Sequence, residues 1–325
     1  MLHLDPFALR ELLGPDAAVC HRSITRERGV SLPPLVDHHV HVHLIDDHAL
    51  AGAGIAGIVD LGGDPVELAR RPARGIPRAA YAGAFLTAPG GYPVGRPWAP
   101  PSISREVTSA SLGVGVPGGA RTAVDEQAEF GASVIKISLH RSEGRVLDDE
   151  TLAAVVAAAR GRGLPVVAHV EGDGMTRRAI DAGVDALAHV PFSERLDDGL
   201  VERAAALGQR WLSTLRIHDD RAAEIAQHNL ERFIAAGGRV LYGTDLGNGD
   251  EPPGIGAREL TLLDQAGLRG PRLVQTLTDP WPFADRIDGV LTFVPGPPPT
   301  SVDDVPGWLV GATVVPTEEL VHDER

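Results

Sequence analysis

The chain has 325 residues, enough for one barrel of about 250 residues with an appendage and too few for two large domains. Its 44 acidic and 30 basic residues give a formal charge of −14, which repels phosphate backbones and predicts no nucleic-acid partner. The single cysteine, Cys20, excludes an intrachain disulfide and a cysteine-based zinc finger. No apolar run reaches the roughly 18 residues of a membrane span, and no signal-peptide pattern begins the sequence, so we expect a cytoplasmic protein without membrane contact.

Strand-like and helix-like segments alternate along the chain. Strands are predicted at 32–42, 57–61, 79–85, 133–139, 165–170, 186–190, 210–215 and 239–245. Helices are predicted at 122–130, 148–162, 176–182, 197–207, 221–236 and 257–266. Asp148 is suited to cap the N-terminus of the clearest helix. Repeated β-α units favour a parallel sheet, and eight of them favour closure into a (β/α)8 TIM barrel over residues 32–284.

Two regions interrupt this alternation. Residues 88–101 are rich in proline and glycine and follow the third predicted strand, on the side where the active-site loops of a barrel lie. They are a candidate lid. From about residue 285 the helical period is lost, and the segments VLTFV, PGPPP and WLVGATVV follow one another.

Side chains of metal-binding type stand near the ends of five predicted strands. They are His39, His41, Lys136, His169, His189 and Asp245. In a parallel barrel the carboxyl ends of the strands meet at one mouth, so residues far apart in sequence can surround a single site.

Strand alternation places His39 and His41 on one face together with Asp37 and His43. Two imidazoles two residues apart can bind one divalent metal ion. Taken alone, the same pattern also fits an exposed histidine cluster, and it leaves the role of His43 open.

Lys136 is predicted to face the barrel interior, because Ile135 and Ile137 take the outward face of its strand. A buried ammonium is costly unless it is paired or neutralised, so we expect a neutral amine, which can take up carbon dioxide to form a carbamate. The sequence also allows a lysine that extends out of the barrel mouth or pairs with an acid. His169 and His189, one β-α unit apart, can be ligands or packed core histidines, and Asp245 can be a ligand or a helix cap.

The order His-x-His, Lys, His, His, Asp resembles the amidohydrolase superfamily of binuclear metal hydrolases, most closely its imidazolonepropionase-like and prolidase-like branches. The resemblance covers about residues 30–280 and includes three flanking segments, 32–37, 182–189 and 243–245. It implies two divalent ions, with zinc expected, and a carboxylated Lys136 that bridges them. It also implies that residues 1–31 and 285–325 form a reduced, β-rich accessory subdomain.

The resemblance further implies roles for the individual ligands. His39, His41 and Asp245 would bind the first ion, and His169 and His189 the second. Asp245 would act as the proton shuttle for a metal-bridging hydroxide, with His189 or another histidine helping to stabilise the oxyanion.

We therefore expect a hydrolase that cleaves the C–N bond of a small-molecule amide, dipeptide-like or cyclic. A lactonase or esterase, a metal-dependent lyase or isomerase, and a non-catalytic metal-binding protein are the alternatives, and a homo-oligomer is possible. By position, Tyr81, Tyr92, Trp98, His140 and Arg141 are candidate substrate-binding residues. Arg141 is suited to a substrate carboxylate, although a solvated arginine is the more common case at a loop start.

Overall fold

The computed structural model describes residues 6–322 and has a mixed α/β architecture. The strands are β1 (Ala18–Arg22), β2 (Arg28–Leu32), β3 (Leu35–Val40), β4 (Ile55–Asp60), β5 (Arg78–Tyr81), β6 (Phe85–Thr87), β7 (Ser104–Glu106), β8 (Ile135–His140), β9 (Val166–Glu171), β10 (Ala186–Leu187), β11 (Arg210–Leu212), β12 (Arg239–Leu241), β13 (Val290–Pro295), β14 (Thr313–Pro316) and β15 (Leu320–His322). The α-helices are α1 (Pro6–Leu13), α2 (Pro65–Ala69), α3 (Ala120–Glu129), α4 (Asp149–Gly161), α5 (Met175–Ala182), α6 (Asp198–Ala206), α7 (Asp220–Ala235), α8 (Ala257–Gln265), α9 (Pro271–Thr278) and α10 (Val305–Leu309).

The parallel strands form two sheets, one in the order β3-β4-β5 and one in the order β12-β11-β10-β9-β8-β6-β7. Backbone hydrogen bonds connect the two sheets on both flanks. On one flank, His38 N donates to Tyr242 O at 3.0 Å, just after β12. On the other, Ser133 N donates to Tyr81 O at 2.8 Å, at the end of β5. The carboxyl ends of both sheets therefore face a shared space.

Two predicted strands are each broken into two pieces. The segment predicted at 32–42 divides at Pro33-Pro34, because proline has no N–H to donate to a sheet. The segment predicted at 79–85 divides at Gly83, whose φ is +74°. There the Gln127 side chain from α3 accepts a hydrogen bond from Ala84 N at 2.8 Å, replacing a strand partner.

The six predicted helices all appear, with ends shifted by at most two residues. Asp148 caps α4 as predicted, since its side chain accepts a hydrogen bond from Thr151 N at 2.7 Å. The short helix α10 was not expected after residue 285. It follows directly on the 3-10 turn Val302–Asp304, which Ser301 and Asp304 cap reciprocally, and Pro306 lies in its first turn.

The remaining strands form a separate antiparallel sheet in the order β14-β13-β2-β1-β15. Its strands come from both ends of the described chain. Buried side chains from four of these strands form a small apolar cluster: Cys20, Phe293, Val315 and Leu320. The division of the chain at residues 32 and 284 stays a prediction. Among residues 6–322, no helix has the length and apolar character needed to cross a membrane.

Candidate metal centre

A cavity of about 360 Å³ opens at the carboxyl ends of the parallel strands. Its lining residues are His39, His41, Leu44, Phe85, Tyr92, Trp98, Lys136, His169, Glu171, His189, Phe192, Ile217, His218, Asp245, Gly247 and Asn248. All six predicted ligands are among them. A volume of this size suits a small organic molecule.

A first cluster of ligand-type atoms belongs to His39, His189 and Asp245, with one atom of each within 4.8 Å of the other two. His41 adjoins this cluster. Asp245 Oδ1 lies 3.2 Å from His39 Nε2 and 3.3 Å from His41 Nε2. The first cluster therefore presents several imidazole nitrogens around one carboxylate oxygen.

Each of these imidazoles is held by its other ring nitrogen, which fixes the ring and leaves Nε2 for the cavity. The contacts are His39 Nδ1 to Ala188 O (2.8 Å), His41 Nδ1 to Gly62 O (3.0 Å) and His189 Nδ1 to Thr214 Oγ1 (2.8 Å). Two of the three partners are backbone carbonyls, so Nδ1 of His39 and of His41 is the protonated nitrogen. Outer contacts of this kind are typical of metal-binding histidines.

Asp245 follows β12 and has a φ of +53°, a left-handed conformation that aspartate tolerates better than most residues. Asn248 Nδ2 donates to its Oδ2 at 2.9 Å, which leaves Oδ1 directed at the histidines. Burial opposes ionisation, but the neighbouring His39, His41 and His189 outweigh it and hold the pKa of Asp245 well below its usual range. Asp245 is therefore a carboxylate at neutral pH.

Lys136 is fully buried on β8 and lines the same cavity. Burial lowers the pKa of its amine to about 7, although the negative charges of Asp245 and Asp60 oppose the shift. A substantial fraction of this lysine is thus neutral near pH 7, the state that the predicted carbamate chemistry requires.

A second cluster of ligand-type atoms consists of His140, His169 and Glu171. Glu171 Oε1 lies 3.2 Å from His140 Nε2, and Glu171 Oε2 lies 3.5 Å from His169 Nε2. Sequence analysis did not select Glu171. The signal was present, because Glu171 follows His169 by two residues on the same strand and therefore shares its face.

Four buried atoms of the two clusters have no hydrogen-bond partner among residues 6–322: His39 Nε2, His140 Nδ1, His169 Nε2 and Asp245 Oδ1. Orphaned buried polar atoms are costly and rare in folded proteins. Imidazole nitrogens and carboxylate oxygens are also the donors that zinc and similar divalent ions bind. The residues present therefore fit a divalent metal ion.

The predicted substrate-binding residues divide into two groups. Tyr92 and Trp98 line the cavity, and the Tyr92 ring lies 4.8 Å from the His140 ring. His140, Tyr81 and Arg141 are not among the lining residues, although His140 belongs to the second cluster. The Tyr81 hydroxyl donates to Phe130 O at 2.6 Å, and Arg141 is exposed.

Sequence analysis also missed His218, Phe192 and Asn248, which lie on loops after strands. The His218 ring packs 4.2 Å from the Phe192 ring, and its Nε2 is buried without a hydrogen-bond partner in the described chain. Burial lowers the pKa of His218 to about 4, so the imidazole is neutral near pH 7. His43 is exposed beside Trp98 and does not line the cavity.

No protein-family model matches the sequence, and no curated protein matches it. Solved structures do match its fold. A Xaa-Pro dipeptidase with bound methionine is 19% identical with a TM-score of 0.67, covering 90% of this chain and 87% of its own. A. niger ochratoxinase is 20% identical with a TM-score of 0.69, covering 89% and 83%.

A putative prolidase from Bifidobacterium longum is 20% identical with a TM-score of 0.68, covering 91% of this chain and 82% of its own. At these identities the likeness shows a common fold. The chain therefore has the fold of these dipeptidase, ochratoxinase and putative prolidase structures.

Proposed function

We propose that this chain is a metal-dependent hydrolase that cleaves the C–N bond of an amide. The observation that carries the proposal is the convergence of two clusters of metal-binding atoms on one cavity. The fold shared with a dipeptidase and a prolidase adds support. We further infer that the parallel strands close into a (β/α)8 barrel, which the hydrogen bonds on both flanks of the two sheets support.

Two divalent ions, with zinc the expected metal, would be held by the six predicted ligands. These are His39, His41 and Asp245 for the first ion, His169 and His189 for the second, and a carboxylated Lys136 between them. His189 lies between the two clusters, with its ring 4.9 Å from the His39 ring and 5.0 Å from the His169 ring. Bound ions of this kind lower the pKa of water towards neutrality and polarise a carbonyl group.

We infer that Asp245 moves the proton of the attacking water. Asn248 holds its Oδ2, and its Oδ1 has no hydrogen-bond partner among residues 6–322, so the carboxylate keeps a fixed orientation towards the cavity. It would then deliver that proton to the leaving nitrogen, which makes the departing amine neutral. The neutral His218 can donate a hydrogen bond to the substrate carbonyl oxygen as negative charge develops there.

The cavity wall favours substrates with apolar or aromatic groups. Phe85, Tyr92, Trp98 and Phe192 supply aromatic surface, and no arginine among residues 6–322 lines the cavity. We therefore do not propose that Arg141 binds a substrate carboxylate. We propose an N-acyl or cyclic amide with an apolar substituent.

The test is turnover of a panel of amides, dipeptides and lactones in oxygen-18 water, followed by mass spectrometry. Label in a new carboxylate released from an amide is the expected result. Label from lactones alone would favour the esterase alternative, and a product without label would favour a lyase or isomerase.

Metal analysis of the same preparation is expected to give about two divalent ions per chain. A protein that takes up no zinc, manganese or cobalt would contradict the proposal.

A further inference from the structure

The second cluster contains more ligand-type atoms than the sequence resemblance assigns to it. His169 is a predicted ligand, whereas His140 and Glu171 have no ligand role in that prediction. The three residues form their own group, separate from the group of His39, His189 and Asp245. We propose that Glu171 and His140 bind the second metal ion together with His169, an inference that rests on the two-ion site proposed above.

The contact between Glu171 and His169 supports this assignment. Their atoms approach to 3.5 Å, but His169 Nε2 makes no hydrogen bond within residues 6–322. An imidazole nitrogen that binds a metal ion has no hydrogen to donate. A carboxylate oxygen and an unpartnered, buried imidazole nitrogen thus face the same point, where a cation satisfies both.

The sheet itself places these residues. In the parallel pairing of β8 with β9, His140 lies opposite Glu171 and Ser138 lies opposite His169. Because side chains alternate along a strand, His140 shares the face of Lys136, and Glu171 shares the face of His169. The cluster therefore depends on strand register and requires no loop to move.

The chemistry of the set is appropriate for zinc. Added to the His189 and Lys136 ligands proposed above, His140, His169 and Glu171 contribute two imidazole nitrogens and a carboxylate, which are donors that zinc binds. The Glu171 carboxylate lies within 3.5 Å of Nε2 of both His140 and His169. A divalent cation at this position would interact with all three side chains.

The experiment is a calorimetric titration of the full chain, stripped of metal by chelator, with Co²⁺ as the probe. The wild-type protein is expected to show two binding events. Glu171→Gln and His140→Asn should weaken the same event by about 10-fold or more, the usual size for loss of a supporting or ligating group. His39→Asn should weaken the other event.

Matched controls separate ligation from a general loss of structure. Glu194 lies on a neighbouring loop, where its carboxylate accepts from Gly174 N at 3.0 Å, and Glu194→Gln should leave both events unchanged. His228→Asn, on α7, is the corresponding control for His140. Circular dichroism reports folding, and Glu171→Asp, which keeps the charge, provides a second variant with an expected intermediate affinity.

Wild-type affinity for both ions in Glu171→Gln and Glu171→Asp would overturn the inference while leaving the two-ion site intact. An unchanged His140→Asn would remove His140 from the ligand set. Absence of Co²⁺ binding by the wild-type protein would instead contradict the proposed function.

Discussion

Thr214 Oγ1 lies 2.8 Å from His189 Nδ1, and Thr214 reaches this position with a φ of +45°. A β-branched residue in the left-handed region is strained, at a cost of about 1–3 kcal/mol. Strain of this kind is retained where the surrounding structure requires one conformation. Here the left-handed conformation of Thr214 directs its hydroxyl at His189 Nδ1, and this contact fixes the orientation of the His189 ring.

Removing that hydroxyl should weaken the site without removing any predicted ligand. We expect Thr214→Val, which keeps the side-chain shape, to lower metal affinity or kcat by about 10- to 100-fold. Thr214→Ser keeps the hydroxyl and should retain most of both. Metal titration and steady-state kinetics measure the effect. Equal behaviour of the two variants would show that the hydrogen bond to His189 has no functional role.

Asp245→Asn removes the proposed proton carrier while preserving its size. We expect kcat to fall by about 10²- to 10⁴-fold, the usual contribution of a positioned acid–base group. The variant should remain folded and still bind at least one ion. Asp173→Asn, at an exposed position after β9, is the control and should retain the wild-type rate. A fully active Asp245→Asn enzyme would assign the proton transfer to another residue.

Lys136→Ala should remove the proposed bridging group and, with it, one of two ions and most of the activity. Short-chain carboxylic acids are small enough to enter the vacated space, and we expect them to restore part of the metal content and rate. Metal analysis with and without added acetate provides the measurement. If the variant keeps two ions and its full rate without added acid, Lys136 has only a structural role.

Asp37 gives a prediction about pH. Burial raises the pKa of this carboxyl group from 3.8 to about 7, despite hydrogen bonds from Thr244 and from His39 N. The folded protein therefore holds a proton that the unfolded chain releases, and stability must fall as pH rises between those two values. This contribution is fully present below pH 3.8 and absent above about pH 7.

We expect the free energy of unfolding of metal-free wild-type protein, measured relative to Asp37→Asn, to decrease from about pH 4.5 to pH 8. Urea titrations at several pH values in the presence of chelator provide the data. Asp125→Asn is the control, because Arg162 lowers the pKa of Asp125 and places its titration below this window. A constant difference between wild type and Asp37→Asn would show that Asp37 titrates normally.

The sequence was sufficient to place the six predicted ligands near one another, because each lies on or shortly after a parallel strand. Strand alternation gave the shared face of His39 and His41 and the inward face of Lys136, whereas the role of Asp245 came from the resemblance. The same reasoning applies to Glu171, which follows His169 by two residues and therefore shares its face of the strand.

Other features could not be obtained in this way. His218, Phe192 and Asn248 reach the cavity from loops, whose conformations have no sequence period to follow. Arg141 is the converse case: its position just after a strand allowed a substrate contact or a solvated side chain, and the side chain is exposed. Helix α10 follows a turn capped by Ser301 and Asp304, a local feature in a segment without helical period.

The antiparallel sheet has a consequence for how the molecule is made. Strand β1 pairs with β15, and Ser31 Oγ lies 2.9 Å from His322 Nε2, a contact between residues 291 positions apart. During synthesis, β1 and β2 leave the ribosome long before β13, β14 and β15 exist. Until then their edges are unpaired, and exposed edges invite pairing with other chains. Completion of this sheet is therefore a late step of biogenesis, and a chain arrested before residue 313 would leave the outer edges of β1 and β13 without their partners β15 and β14.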